Sequence, residues 1–429
     1  MQNSVPRRWK AALRKASLLL CVASALVTAS AKPPKRADLS RLVVIGDSLS
    51  AGVQNISLEG SQQVNGYVPL IARQAGVNMI LPLIAYPGTP NRLDLADPKF
   101  HTVTPAAGTL PSVPRLNPTE QPTNLSVPGF TLFDTLNRRV VPGLSNDSPD
   151  RVGFWANTVL GYPYPLNQPG PNLTQLEQAL AQNPTTLIAA VGNNDVLVSA
   201  MVGIPQLLTP AAAFESMYKT LLDALDTSNA TLIVATIPDV TRIPYFTSTE
   251  TLADENAVSM RTIREKLGLS NGDYVRPSAL KIVDDILHGT TPGPLPAICP
   301  SPIAAFPVPV VPCTLSAVDA RIIQDRIAEF NHIIRRQAAA HDAVVVDIYD
   351  LVNDIAKKGI KAGKQQLTTE YLGGLFSFDG IHPDNTGYAI IANEFIDTMN
   401  KKLKTRIPSV SLEQVFEQDP MRQWLIPGR

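Results

Sequence analysis

Four side chains of this sequence have the types and the spacing that acyl-transfer chemistry needs. Ser48 and Asn194 each follow an apolar run of strand type. Asp379 and His382 lie three residues apart, just before an apolar-periodic helix near the carboxyl end. Because open α/β sheets place their chemistry at the carboxyl edge of the strands, we expect these segments to contribute to one site.

The chemistry of these residues is nucleophilic catalysis. A serine hydroxyl such as that of Ser48 is a poor nucleophile until a base removes its proton. His382 can be this base, because a neutral imidazole accepts and returns a proton near neutral pH. Asp379 can hold the tautomer of the ring and stabilise the imidazolium. Asp347, at the end of the last predicted strand, is the rival acid, but no His lies beside it in the sequence.

These segments together resemble the GDSL, or SGNH, hydrolase family, whose marker residues come from four separate blocks. The Gly block is the least distinctive of the four, and the sequence from Asn124 to Gly129 resembles it. The resemblance extends from about residue 42 to residue 400. The matching residues, in the order of the family, are Ser48, Gly129, Asn194 and His382 with Asp379.

The resemblance implies an exported serine esterase that forms an acyl-enzyme at Ser48. The oxyanion hole would consist of the backbone N–H groups of Ser48 and Gly129 and the side-chain amide of Asn194. An ordinary turn at Gly129 and a helix cap at Asn194 are the alternatives. We expect no metal and no nucleotide or redox cofactor. A second serine motif, the G-x-S-x-G pattern at 268–272, is not expected to be a nucleophile elbow, because it follows a predicted helix rather than the strand that such an elbow requires.

The substrate class stays open at this point. The family contains lipases, lysophospholipases, thioesterases, carbohydrate deacetylases and some acyltransferases. The apolar insertions of this chain favour an acyl or lipid ester, and a carbohydrate O-acetylesterase is the nearest alternative. An acyltransferase, or a non-catalytic exported binding protein with the same fold, are further alternatives.

The first 31 residues have the pattern of a secretory signal peptide. Five basic residues precede a short apolar segment at 16–29, and Ala29-Ser30-Ala31 has the small side chains of a cleavage site. An uncleaved anchor is the alternative, but the apolar segment is shorter than the roughly 20 residues of a spanning helix. We therefore expect export to the periplasm or the extracellular space, with no membrane span after processing.

The charge of the chain argues against a nucleic-acid partner. The formal net charge is zero, but removal of the five basic leader residues leaves 32 Lys and Arg against 37 Asp and Glu, a net charge of −5. Nucleic-acid binding depends on clustered cations. We expect a monomer whose partner is a small-molecule or lipid ester.

Two cysteines remain after processing, Cys299 and Cys313. An oxidising compartment and an even number of cysteines favour a disulfide between them, with two free thiols as the alternative. Metal ligation is not expected, because no His or Cys lies at zinc-site spacing from either one.

Apolar strand-type runs alternate with helical periodicity along the chain, which predicts a three-layer αβα sandwich. The resemblance implies a flavodoxin-like, five-stranded parallel sheet in the order 2-1-3-4-5. We predict one hydrolase domain at 40–404, Pro-rich insertions at 82–122 and 290–313, and an irregular tail at 405–429 in which Trp424 docks on the body. The second insertion is predicted to be either an arm that covers the site or an ordered surface loop. The predicted strands are 42–45, 77–81, 186–191, 231–237 and 343–348, and the clearest predicted helices are 67–75, 173–182, 211–225, 258–267, 317–340 and 387–403.

Overall fold

A computed structural model describes residues 37–162, 172–301 and 310–426 of the chain. The predicted signal peptide lies outside the described residues. The strands are β1 (Leu42–Gly46), β2 (Leu93–Asp97), β3 (Thr102–Pro105), β4 (Thr186–Ala190), β5 (Thr231–Ala235), β6 (Thr247–Ser248), β7 (Tyr274–Val275), β8 (Ile298–Pro300), β9 (Val310–Pro312), β10 (Thr314–Leu315), β11 (Val344–Val346), β12 (Ile360–Ala362) and β13 (Gln365–Leu367).

The helices alternate with these strands as the periodicity predicts. They are α1 (Ser48–Ala51), α2 (Gly60–Gln63), α3 (Tyr67–Ala75), α4 (Leu132–Asn137), α5 (Arg151–Leu160), α6 (Gln175–Ala181), α7 (Asn194–Val202), α8 (Ala211–Asp226), α9 (Thr249–Glu255), α10 (Met260–Leu267), α11 (Pro277–Leu287), α12 (Ala317–Ala340), α13 (Ile348–Lys358), α14 (Asn385–Leu403) and α15 (Leu412–Gln418).

The central sheet is parallel and contains the strands β1, β4, β5 and β11 in that spatial order. Every residue of β1 and β4 is buried, as expected for strands that helices cover on both faces. Val43 and Ile45 belong to the core on the side of α7, α8 and α12. Leu42 and Val44 belong to the core on the side of α3 and α14. The alternation along β1 therefore divides the interior into two layers of packing and confirms the αβα sandwich.

The predicted strand at 77–81 is wrong, and the fifth strand of the sheet is not confirmed. Residues 123–127 cover the free edge of β1 instead, where Val44 N donates to Thr123 O at 3.0 Å and Leu125 N donates to Val44 O at 2.8 Å. This contact is an isolated parallel bridge between Val44 and Asn124 rather than a strand. The backbone N–H groups of Thr123 and Asn124 bond to Ile80 O, so the predicted segment lies behind the one that reaches the edge.

The first insertion contains the β2–β3 hairpin, and the second contains the β8–β9 hairpin. A disulfide joins Cys299 to Cys313, whose Cα atoms are 4.9 Å apart. Both cysteines are buried against α10 and α11. The buried guanidinium of Arg276 donates to Pro312 O and to Ala200 O, so the described part of the second insertion lies against the carboxyl-terminal half of α7.

The predicted irregular tail is wrong in part, because residues after Lys404 form α15 and a 3₁₀ helix at Pro420–Trp424. Ser411 caps α15 by accepting a hydrogen bond from Gln414 N, as serine commonly does at this position. Phe416 is the aromatic side chain that docks on the body, whereas Trp424 keeps 40% of its surface exposed. Among the residues described, no helix has the length and apolarity that crossing a bilayer requires.

Candidate active site

The Ser block lies at the carboxyl end of β1, where the sequence predicts it. Asp47 caps α1 by accepting a hydrogen bond from Leu49 N at 3.1 Å. A Cβ atom on Gly46 would lie 2.9 Å from Ala190 O of the neighbouring strand, so only glycine allows this close turn. Ser48 is the first residue of α1, and 9% of its surface is exposed.

Asp47 connects the Ser block to the Asn block. Its Oδ2 atom accepts a hydrogen bond from Asn193 Nδ2 at 2.7 Å. Burial raises the pKa of Asp47 from 3.8 to about 6, although the hydrogen bonds from Asn193 and Leu49 act in the opposite direction. Asp47 therefore braces the turn by bonds that favour its charged form against the cost of burial.

The Asn block is joined to the loop of Gly129. Asn194 Nδ2 donates to Phe130 O at 2.8 Å, and Asp195 Oδ2 accepts a hydrogen bond from Leu132 N at 2.8 Å. Gly129 has a φ of +78°, and a Cβ atom there would lie 3.0 Å from Val152 Cγ2. The amide of Asn194 has a second N–H, so it can hold the Gly129 loop and still donate to a ligand.

The His block contains the most extensively bonded carboxylate of the site. Asp379 Oδ2 lies 2.8 Å from His382 Nδ1 and 2.5 Å from Ile56 N, and Oδ1 accepts hydrogen bonds from the backbone N–H groups of Ile381 and His382 at 2.7 and 2.9 Å. Burial alone would raise the pKa of Asp379, but the His382 ring and these N–H groups hold it below its ordinary value. Both residues are buried, Asp379 at 4% and His382 at 4% exposure.

Residues 53–56, directly after α1, are bonded to the His block. Asn55 N donates to Ser377 Oγ at 2.9 Å, and Phe378 N donates to Asn55 Oδ1 at 2.9 Å. Tyr388 Oη donates to Val53 O at 2.7 Å. The Ser and His blocks are therefore held at one edge of the sheet. Among the described residues no hydrogen bond joins the Ser48 hydroxyl to the His382 ring. Hydrogen bonds between a nucleophile and its base often form fully only when substrate binds.

The rival acid, the histidine that follows α12 and the G-x-S-x-G pattern all have structural roles. Asp347 caps α13 and pairs with Arg335 at 2.6 Å, so it is not the acid of His382. His341 pairs with Asp226 at 2.6 Å, on the outer surface of the αβα sandwich. Gly268 caps the end of α10 with a φ of +74°, which confirms that the G-x-S-x-G pattern follows a helix and not a strand.

Sequence reasoning missed the residues that connect the blocks. Asn193, Asn55 and Ile56 carry no motif, and their partners are more than a hundred residues away in the sequence. Only the doubled asparagine at 193 and 194 could have drawn attention to the first of them. Among the described residues no group of three or more His, Cys, Asp or Glu side chains could hold a metal ion.

An apolar cavity of about 80 Å³ borders these blocks. Leu49, next to Ser48, lines it, and so do Ile381 and Pro383, which flank His382. Side chains of α13 and α14 form most of the remaining wall, among them Ile348, Leu351, Ile355 and Ile390.

Comparison with known proteins identifies the family of this chain. The model of the GDSL-like lipase/acylhydrolase family matches residues 42–395. Similar solved structures include an alpha/beta hydrolase enzyme from the metagenome of Lake Arreo, at 15% identity over 86% of this chain and 98% of that chain with a TM-score of 0.38. Another is an acetylxylan esterase from Geobacillus stearothermophilus, at 13% identity over 85% of this chain and 96% of that chain with a TM-score of 0.37. No curated protein matches. Because the family model covers most of its length, the chain belongs to the GDSL-like lipase/acylhydrolase family of ester hydrolases.

Proposed function

We propose that this protein is an exported serine esterase that cleaves carboxylic esters through an acyl-enzyme at Ser48. The observation that carries the proposal is the set of hydrogen bonds that links the four blocks. Asp47 is bonded to Asn193, Asn194 to Phe130, and Asp379 to both His382 and Ile56. Such bonds hold a nucleophile, a base and oxyanion donors at one sheet edge, as pre-organised catalysis requires.

In the proposed mechanism Ser48 Oγ attacks the ester carbonyl while His382 Nε2 takes its proton. Asp379 accepts from Nδ1–H, which leaves Nε2 as the basic nitrogen and stabilises the imidazolium. The oxyanion accepts hydrogen bonds from the Ser48 and Gly129 backbone N–H groups and from the free N–H of Asn194, each worth roughly 2.7–4 kcal/mol. His382 then returns the proton to the departing alcohol, and a water molecule, deprotonated by the same ring, hydrolyses the acyl-enzyme.

The apolar cavity supports an acyl group of limited length. It measures about 80 Å³, whereas an engineered apolar cavity of about 150 Å³ holds a benzene molecule. A space of this size accommodates a few carbon atoms, and its wall contains the neighbours of Ser48 and His382. We therefore propose short acyl chains, which fit both a small ester and an acylated carbohydrate.

The first experiment measures kcat/KM on p-nitrophenyl acetate, butyrate and octanoate. We expect the acetate and butyrate to be hydrolysed and the octanoate to be the slowest. A rate that rises steadily up to octanoate would reject the short acyl pocket but leave the esterase in place.

The second experiment compares Ser48→Ala with Ser50→Ala. Ser50 is also a buried serine of α1, and its hydroxyl contacts Tyr67 Oη at 2.6 Å. Ser48→Ala should abolish hydrolysis and labelling by a fluorophosphonate, whereas Ser50→Ala should retain both. An unaltered rate in Ser48→Ala would reject the proposed enzyme.

Export is tested by the mass of the protein recovered outside the cytoplasm of a bacterial host. A mature chain that begins at Lys32 is the expected result. An intact amino terminus would favour the uncleaved anchor.

A further inference from the structure

A second cleft lies on the side of the His block that faces the first insertion and the carboxyl-terminal tail. Its volume is about 310 Å³, at the lower end of the roughly 300–1,000 Å³ of small-molecule sites. The β2 strand, the α2 helix, residues 54 and 55, and the 3₁₀ helix at Pro420–Trp424 form its walls. Phe378 and Asn385, on either side of Asp379 and His382, complete it.

The polar wall of this cleft is rich in amides and balanced in charge. Its two charged residues, Arg92 and Asp94, lie 3.6 Å apart and offset each other. The amides come from Gln54, Asn55, Gln62, Asn385 and Gln423. Such a wall offers donors and acceptors at many angles but no net charge, which selects a neutral ligand with several hydroxyl groups over a phosphate or a carboxylate.

Gln62 contributes a buried side-chain acceptor to this wall. Its side chain is buried, with 8% exposed. Among the described residues, its Oε1 atom has no hydrogen-bond partner. A buried acceptor without a donor is unfavourable in a folded protein unless something supplies one. The Oε1 atom itself is covered by the protein, so the side chain of Gln62 must turn towards the cleft for a ligand hydroxyl to donate to it.

The rest of the lining is apolar and aromatic. Trp424 lies on it with 40% of its surface exposed, together with Leu95, Phe378 and Met421. These four side chains give the cleft an apolar surface beside its amides. A pyranose ring has one face of C–H groups that packs on an aromatic ring and a rim of hydroxyl groups that bonds to amides.

We propose that this cleft binds one unit of a neutral sugar, with its C–H face on Trp424 and its hydroxyl groups on Gln62 and the neighbouring amides. The binding itself does not depend on the proposed esterase activity. Because Phe378 and Asn385 belong to both the cleft wall and the surroundings of the His block, a bound saccharide lies next to the catalytic loop.

The test is calorimetric titration of the full chain with xylotriose, cellotriose and chitotriose. At least one of them should bind with a dissociation constant below about 10 mM. Trp424→Ala should weaken it roughly twofold to tenfold, Trp424→Phe should restore most of the affinity, and Gln62→Met should weaken it by about threefold or more. The matched control is Ile322→Ala, an exposed apolar residue of α12 that lies outside the cleft.

Three results would overturn the inference, two of them from the oligosaccharides. One is the absence of binding by all three oligosaccharides, and the other is affinity that neither the Trp424 nor the Gln62 variants change. Glycerophosphocholine bound in their place, and lost in Trp424→Ala, would show a lipid headgroup site and overturn it as well. Hydrolysis of p-nitrophenyl acetate is measured in parallel: activity without sugar binding rejects only the cleft, and sugar binding without activity rejects only the esterase.

Discussion

Replacing Asp379 by Asn tests the proposed triad most directly, because every acceptor position of this carboxylate is in use. Oδ2 faces the N–H of Ile56 and the Nδ1 atom of His382, and Oδ1 faces the backbone N–H groups of Ile381 and His382. All three backbone groups are fixed donors. An amide nitrogen placed at either position therefore points its own N–H groups at donors.

Each orientation of the Asn side chain has a different cost. With its nitrogen at the Oδ1 position, two backbone N–H groups lose their acceptor, which costs about 1–3 kcal/mol for each buried group. With its nitrogen at the Oδ2 position, the His382 ring must accept at Nδ1 and carry its proton on Nε2. That tautomer cannot take the proton of Ser48, and the loss expected from a wrong tautomer is roughly 10⁴-fold in kcat.

The assay is kcat and KM on p-nitrophenyl acetate, with the free energy of unfolding measured by urea titration on the same sample. Asp384→Asn is the matched control, because Asp384 is a buried acid two residues after His382 and burial together with Asp419 raises its pKa well above the ordinary value. The carbonyl oxygen of an Asn side chain can still accept the hydrogen bond from Gly387 N, so the control should retain its rate. An Asp379→Asn protein that folds and keeps a tenth or more of the rate would refute the assigned role.

Three further predictions follow from the site and its surroundings. Gly129→Ala should lower kcat by up to about 10²-fold, since its φ of +78° disfavours a side chain and the Cβ would press on Val152 at 3.0 Å; an unchanged kcat would remove Gly129 from the oxyanion hole. Replacing both Cys299 and Cys313, 14 residues apart, by Ala should lower the free energy of unfolding by about 3 kcal/mol and leave kcat/KM alone, as urea titration and the ester assay would show. The pKa of Asp47 is raised from 3.8 to about 6 in the folded protein, so as pH rises the unfolded chain loses this proton at a lower pH than the folded one. The contribution of Asp47 to the free energy of unfolding should therefore fall by about 3 kcal/mol between about pH 4 and pH 6. A stability difference between wild type and Asp47→Asn that does not vary with pH would contradict this.

The parts of the fold that the sequence predicted are those set by local patterns. The helices at Tyr67–Ala75 and Ala317–Ala340 begin and end where the periodicity places them. The strands β1, β4 and β5 are continuous apolar runs, which suffice to identify a strand that is covered on both faces.

The fifth strand could not be predicted, because the sheet edge is assigned by competition between distant segments. Residues 77–81 are apolar enough for a strand. After the first insertion, however, the chain returns to the sheet, and residues 123–127 form the hydrogen bonds with the backbone of β1. Both segments can offer N–H and C=O groups to the same edge. What decides between them is the path of the long Pro-rich insertion, which no local pattern encodes.

The residues that surround the site show the same division between local and distant effects. Asn55 and Ile56 have φ values of +52° and +59°, a conformation that costs free energy in a β-branched residue such as Ile56. The bonds from these residues to Ser377 and Asp379, more than 320 positions away in the chain, compensate for it. Because this strained segment lies shortly after the helix of Ser48, the bonds that relieve its cost also fix the position of Asp379 relative to that helix. The proposed catalytic residues could therefore be selected from short motifs, while their alignment depends on contacts that only the folded chain creates.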